Sequence, residues 1–194
     1  MTPTELKDRV LALYQARGGM EYEGEGVSQL GHAAQCGALA RAAGATPELQ
    51  LAAWLHDIGH LLAGLPGTPT IRGIDDRHES LGAAFLAEAL GPEVAEPVAL
   101  HVAAKRYLVA VNPGYYDGLT ADSRRSLVLQ GGPMSPAEQE RFKRQPCFRD
   151  ALRLRAWDEA GKLPHPVTGS LIELEHVLSG VCARQDRAPD KPER

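Results

Sequence analysis

Cysteine is scarce in this 194-residue chain, with only Cys36, Cys147 and Cys182 present. An odd count with no CxxC pair excludes a disulfide framework and a thiolate zinc site. Each thiol is expected to pack as a small side chain. Long apolar runs are missing too. None approaches the roughly 18–20 residues that a membrane-crossing helix needs, so no membrane contact is expected. Positive charge is not in surplus. The formal net charge is −4, which disfavours a globally basic nucleic-acid binder. The first residues, MTPTELKDRV, are polar and carry no leader pattern, so a cytoplasmic location is the expectation. No obligate protein partner is evident. Runs of β-branched residues are few, which argues for helices over a sheet.

What the chain does have is alanine, leucine and helix punctuation. Apolar residues make up 43% and charged residues 24%, the balance of one globular domain that buries its own core. Thr2-Pro3-Thr4-Glu5 reads as a capping box that opens a helix to about Arg17. Further helices are expected over about Ser28–Ala43, from Thr46-Pro47-Glu48 onward, over Asp76–Leu90 and over Pro92–Tyr107. Gly64 to Gly73 reads as a loop. A short helix follows from Thr120 to Leu129, and a second capping box lies at Ser135-Pro136-Ala137-Glu138. Pro146–Glu159 and Ser170–Leu178 complete the set. The expectation is one all-α domain, a helical bundle of seven to nine helices over residues 1–183. A charged, proline-containing tail, 184–194, is expected to be disordered.

The histidines carry the chemistry. His32, His56-Asp57, His78 and His101 fall on different expected helices or helix ends, separated by 24, 22 and 23 residues, and Asp158 follows much later. One helix plus one loop per interval returns an antiparallel chain to the same level, where side chains can converge on a metal. Imidazole and carboxylate donors without thiolate suit Fe, Mn or Zn. Asp57 could bridge two cations through its two oxygens, the cations then lying about 3.5–4 Å apart.

Leu55-His56-Asp57-Ile58-Gly59-His60 resembles the signature of the HD-domain superfamily, most of whose members are phosphohydrolases using an H…HD…D set, here His32, His56-Asp57 and Asp158. The additional His78 and His101 resemble its dinuclear subset. Several segments resemble, more narrowly, the HD-domain diiron oxygenases of phosphonate breakdown (PhnZ type). They are Tyr22-Glu23-Gly24-Glu25, Val27-Ser28-Gln29-Leu30, Gly31-His32-Ala33, Lys105-Arg106-Tyr107-Leu108, Ser126-Leu127, Gln130-Gly131-Gly132-Pro133-Met134 and Arg153-Leu154-Arg155-Ala156-Trp157-Asp158. The likeness covers about residues 20–162. It implies a mixed-valent Fe(II)/Fe(III) pair bridged by Asp57. One iron would be held by His32, His56 and Asp158, the other by His78 and His101. It also implies O2-dependent cleavage of a 1-hydroxyphosphonate to phosphate and a carboxylate such as glycine. The implied substrate is 2-amino-1-hydroxyethylphosphonate or its trimethylammonium analogue.

The residues point to an anionic substrate on their own account. From Val102 to Asp158 there are ten Lys/Arg against six Asp/Glu, in a chain of negative total charge. Lys105 follows His101 by four and Arg155 precedes Asp158 by three, so each shares a helical face with a ligand. Arg155 can grip an oxyanion bidentately and Lys105 as a point charge. Ser123 and His60 are further candidates for substrate binding. Tyr22 and Glu25, in a glycine-flanked loop before His32, suit a gate over an open metal position. Tyr115-Tyr116-Asp117 has the composition of a quaternary-ammonium pocket, and the sequence alone does not decide whether it forms one. The alternative class is a phosphohydrolase in which metal-bound hydroxide attacks phosphorus. A third is a metal-stabilised interaction module without turnover.

Overall fold

The computed structural model of the chain describes residues 1–22, 26–164 and 170–186. Eleven α-helices occur among them: α1 (Pro3–Arg17), α2 (Gln29–Ala42), α3 (Pro47–Leu55), α4 (Ile58–Ala63), α5 (His78–Leu90), α6 (Pro92–Val111), α7 (Tyr115–Gly118), α8 (Ala121–Leu129), α9 (Pro136–Lys143), α10 (Phe148–Ala160) and α11 (Leu171–Gln185). The all-α expectation holds, but the expected seven to nine helices are too few. The chain leaves the helix at Asp57 (φ −102°, ψ 11°), which divides one expected helix into α3 and α4. α7 is a single turn placed where only a loop was expected. A 3-10 turn, Pro69–Arg72, lies inside the expected loop at 64–73. The tail boundary also moves, because α11 keeps Arg184 and Gln185 helical. Residues 187–194 of the expected tail lie outside the described residues.

Local chemistry accounts for the helix starts. Thr2 and Ser135 each accept a hydrogen bond from the N–H three residues on, and Glu5 and Glu138 return the bond to the cap backbone. Both capping boxes therefore form, each satisfying two otherwise orphaned donors. The helices then bury their leucine faces on one another. Leu6, Val10, Leu51, Leu55, Ile58, Leu86, Leu90, Leu154, Leu174 and Leu178 are all at most 1% exposed and belong to one cluster. α6 packs on α3, α5 and α10, while α1 pairs with α11 and α10 lies on α2. A smaller cluster of Ala104, Met134, Phe142 and Ala151, with Tyr107 and Phe148 against it, supports α9 and the start of α10.

α6 shows how this core turns into a site. Val94, Val98, His101 and Lys105 follow one another at intervals of four, three and four, all buried. One helical stripe thus runs from aliphatic core to imidazole to ammonium. No helix among the described residues is long and apolar enough to cross a membrane.

Candidate metal centre

Four imidazoles and two carboxylates meet where α2, the α3–α4 break, α5, α6 and α10 converge. His32 comes from α2, His56 and Asp57 from the break, His78 from the first position of α5, His101 from α6 and Asp158 from α10. All six are buried. The break is what brings His56 and Asp57 together, because successive residues of one straight helix point about 100° apart.

Each ligand-type histidine is held from behind. His32 Nδ1 lies 3.1 Å from the Gly161 carbonyl, His56 Nδ1 2.9 Å from Ala53 O and His101 Nδ1 2.7 Å from Val98 O. His78 Nδ1 lies 2.9 Å from Asp76 Oδ1. These partners only accept, so every Nδ1 carries a hydrogen and Nε2 is the inward atom, the one open to a metal ion or a proton. The inward atoms pair up: His32 and His56 Nε2 are 3.2 Å apart, and His78 and His101 Nε2 are 3.1 Å apart.

Asp57 divides these pairs between its two oxygens. Its Oδ2 lies 3.4 and 3.2 Å from the Nε2 atoms of His32 and His56. Its Oδ1 lies 3.5 Å from those of both His78 and His101. Asp158 Oδ1 joins the first group, 3.5 and 3.8 Å from the same His32 and His56 atoms, and it is buried without a hydrogen-bond partner. His32, His56, Asp57 and Asp158 form one grouping able to hold a metal ion, and Asp57, His60 and His78 form another. Facing imidazole nitrogens at 3.1–3.2 Å beside a carboxylate oxygen without a hydrogen bond form a donor set that a cation, whether metal ion or proton, would satisfy. The residues therefore fit a metal.

The electrostatics of these groups are strongly coupled. Burial opposes charge on His56, yet Asp57 and Asp158 outweigh it and hold its pKa up to about 10. Burial also raises both carboxyls, but His56 and its neighbours bring Asp57 well below the usual range, and Arg155 and Lys162 do the same for Asp158. Burial pushes His32 and His101 down. The site thus draws in positive charge, by a proton where no cation is present. Cys36 Sγ sits 3.7 Å from His32 Nε2 and forms a third grouping able to hold a metal ion with His32 and His56, while burial holds its thiol well above the usual range.

Two close approaches hold these pieces in register. A Cβ on Gly59 would stand 2.0 Å from the His78 carbonyl, so α4 meets the start of α5 only through glycine. A Cβ on Gly161 would stand 2.6 Å from Cys36 Sγ, at the point where α10 ends against α2.

A cavity opens on the Oδ1 side of Asp57, with a free volume of about 30 Å³. Tyr22, His60, Lys105, Ser123, Arg155 and Lys162 are among its walls. Lys105 Nζ donates to Ser126 Oγ at 2.7 Å, and Lys162 Nζ to Ser123 Oγ at 3.0 Å. Burial, with Arg155 and Lys162 nearby, pushes the Lys105 pKa down to about 7. Tyr22 stacks on His32 (4.1 Å between centroids) and its hydroxyl donates to Asp57 Oδ2 at 2.7 Å. Glu25 lies outside the described residues.

Arg155 differs from the expectation of an arginine free to grip the substrate. Its Nη1 is 2.5 Å from Asp158 Oδ2, its Nη2 contacts Glu159, and its Nε donates to the Tyr115 hydroxyl at 3.0 Å. The fork lines the cavity but is already engaged, because a buried Asp158 needs a cation beside it. Residues 115–117 do not build a cation cage. Tyr115 serves Arg155, the Tyr116 ring lies under Arg124, and none of the three lines the cavity. Two residues that the motifs do not reveal are Asp76, behind His60 and His78, and Lys162. Lys162 follows Asp158 by four, the same interval that links His101 to Lys105, and that interval was the available signal.

Residues 30–131 match the HD domain family. The hydroxymethylphosphonate dioxygenase of Gimesia maris is 43% identical over 163 residues, 84% of this chain and 81% of its own length. The [1-hydroxy-2-(trimethylamino)ethyl]phosphonate dioxygenase (glycine-betaine-forming) of Leisingera caerulea is 38% identical over 151 residues, 77% and 76% of the two chains. The chain belongs to the HD-domain family, among its phosphonate oxygenases. Oxygenase homologues of this kind, together with the His/Asp cluster, make it a metal-binding enzyme.

Proposed function

We propose that the protein is a diiron oxygenase that cleaves the carbon–phosphorus bond of a compact 1-hydroxyphosphonate. The observation that carries this reading is the division of Asp57, with one imidazole pair facing each of its oxygens. His32, His56 and Asp158 would hold one iron, His78 and His101 the other, and Asp57 would bridge them. Bound iron would supply the redox chemistry that activates O2 and oxidises the hydroxyl-bearing carbon. The balance is one O2 per substrate: the C–P bond breaks, phosphorus leaves as phosphate and carbon becomes a carboxylate. Hydroxymethylphosphonate would give formate, and 2-amino-1-hydroxyethylphosphonate would give glycine.

The other residues bind and shield. Lys105 and Lys162 keep ammonium hydrogens beyond those given to Ser126 and Ser123, and these hold the phosphonate oxygens with Ser123. Arg155 adds positive potential while it steadies Asp158. His60 gives its Nδ1 hydrogen to Asp76 and lines the cavity, where its Nε2 would meet the substrate hydroxyl. Tyr22 lines the cavity and its hydroxyl holds Asp57, so it would act as the gate that substrate displaces. The engaged Tyr115 and Tyr116 favour a compact substrate over a trimethylammonium one.

The test is anaerobic loading with Fe(II), followed by metal analysis, electron paramagnetic resonance and phosphate assays with each hydroxyphosphonate. About two irons per chain, a spectrum that changes on substrate addition and O2-dependent phosphate release are expected. A single tight zinc without iron-dependent activity would overturn the reading. Equal phosphate release under nitrogen would replace it with phosphohydrolysis.

A further inference from the structure

Asp76 holds two imidazoles at once. Its Oδ1 accepts from His78 Nδ1 at 2.9 Å and from the His78 backbone N–H at 3.3 Å. Its Oδ2 accepts from His60 Nδ1 at 2.6 Å. The two rings are stacked, 4.0 Å between centroids and 24° between planes. The next residue, Arg77, has φ 52°, the one left-handed non-glycine among the described residues. Such a conformation is uncommon for a residue with a Cβ, and here it turns Asp76 back across the first turn of α5. Backbone strain, a shared carboxylate and a ring stack coincide at one point. The other three inward histidines lean on backbone carbonyls instead.

We propose that Asp76 is a positioning residue that fixes His60 and His78 as one unit, so that filling of the second metal position and the grip on substrate depend on a single carboxylate. This rests on the function proposed above. A carboxylate only accepts, so both Nδ1 atoms carry hydrogen and both Nε2 atoms are the ones turned toward Asp57. That of His78 lies 3.5 Å from Asp57 Oδ1, and that of His60 lies 3.9 Å from the same oxygen. An asparagine amide cannot serve both rings. Its oxygen accepts from one, while its NH2 faces the other Nδ1 and favours the opposite tautomer, which turns a hydrogen toward the centre where a lone pair is needed.

The experiment is Asp76→Asn in the full-length chain, with Fe(II) titration under nitrogen and substrate kinetics at saturating iron. The first equivalent should bind as in wild type. The second should weaken by about 10- to 100-fold, and KM should rise. His60→Ala should raise KM while leaving the second equivalent in place, which separates the two arms of the carboxylate. Nitrogen-15 spectra of the histidine-labelled, Zn(II)-loaded chain supply a readout independent of turnover. Wild type should show Nδ1–H on both His60 and His78, and Asp76→Asn should switch one of them. Wild-type second-metal affinity in Asp76→Asn would overturn the proposal. So would a wild-type spectrum lacking either Nδ1–H, which also decides the matter if the variant fails to fold. A wild-type chain that takes up one metal only would defeat the function proposed above, while the tautomer comparison would still judge Asp76.

Discussion

The two sides of Asp57 are built differently. On the Oδ2 side, His32, His56 and Asp158 sit at most 2% exposed by side chain, backed by main-chain carbonyls of α3 and α10 and by Arg155. On the Oδ1 side, His78 is 10% exposed by side chain, is backed by a loop carboxylate and opens toward the cavity. His101, the other imidazole on that side, is only 2% exposed by side chain and is backed by the Val98 carbonyl of α6, so the first side lies in the core while the second spans core and pocket, with His78 at the pocket edge. Rigid helices hold what must not move, while the loop side faces the space that substrate enters.

The sharpest way to break that division is to remove its hinge. Asp57→Ala should empty both metal positions and cost about 10³-fold or more in activity, since metal ions contribute several kcal/mol to such chemistry. His101→Ala should empty the second position only. Metal analysis of both variants checks this, and equal losses would mean that the sides are not separable.

Arg155 and Lys105 sharpen the comparison next, because they flank different sides. Removing Arg155 leaves Asp158 as a buried carboxylate without its nearest cation, a defect of about 3–5 kcal/mol. Arg155→Ala should therefore lower both thermal stability and first-side metal affinity, and kcat/KM with them. Lys105→Ala should keep its metals and raise KM for the phosphonate. Calorimetry, metal titration and kinetics on the pair decide the matter. An Arg155→Ala variant with full metal and wild-type stability would remove Arg155 from the first side.

Gly59→Ala is a smaller, targeted disturbance. Its Cβ would collide with the His78 backbone, so α4 and α5 must separate at a cost of about 1–3 kcal/mol. Thermal unfolding should show that loss, and the second metal should weaken while the first holds.

The mildest effect is that of pH. Lys105 has its pKa pushed from the usual lysine value down to about 7, and only the ammonium attracts an oxyanion. KM should therefore rise as pH rises through about 7 and approach tenfold per unit above it. Folding responds with the opposite sign. Between about 7 and 10.5 the unfolded chain binds the proton that folded Lys105 lacks, so this group makes stability increase with pH. Kinetic pH profiles of wild type against Lys105→Ala isolate the term.

Much of this was legible in the chain. Both capping boxes, the glycine stops and the leucine faces are local signals, and they mark α1, α2, α6 and α9 because short-range chemistry decides those elements. The His/Asp spacing reads as convergence for the same reason, since helix and loop lengths are fixed by geometry. The α3–α4 break was not legible. Neither glycine nor proline marks it, and Asp57 leaves the helix because of what its side chain meets across the fold. The Tyr115 contact of Arg155 was hidden likewise, being 40 residues away in sequence, whereas its pairing with Asp158 and Glu159 lies within one helical turn. Asp76 reads as the start of a helix, which the structure begins at His78, and nothing local marks it as the partner of His60 and His78.

The family match closes at residue 131, but Arg155, Asp158, Gly161 and Lys162 all come later. A ribosome making this chain completes the Oδ1-side set, Asp57, His78 and His101, well before it adds Asp158. During that interval His32 and His56 exist without their carboxylate and without the Gly161 carbonyl that orients His32. A message cut short after α9 would encode a well-formed family signature with five of the six candidate ligands and an unfinished first side. For this fold, a genome fragment that matches the signature is therefore a poor guide to a working enzyme unless α10 is present as well.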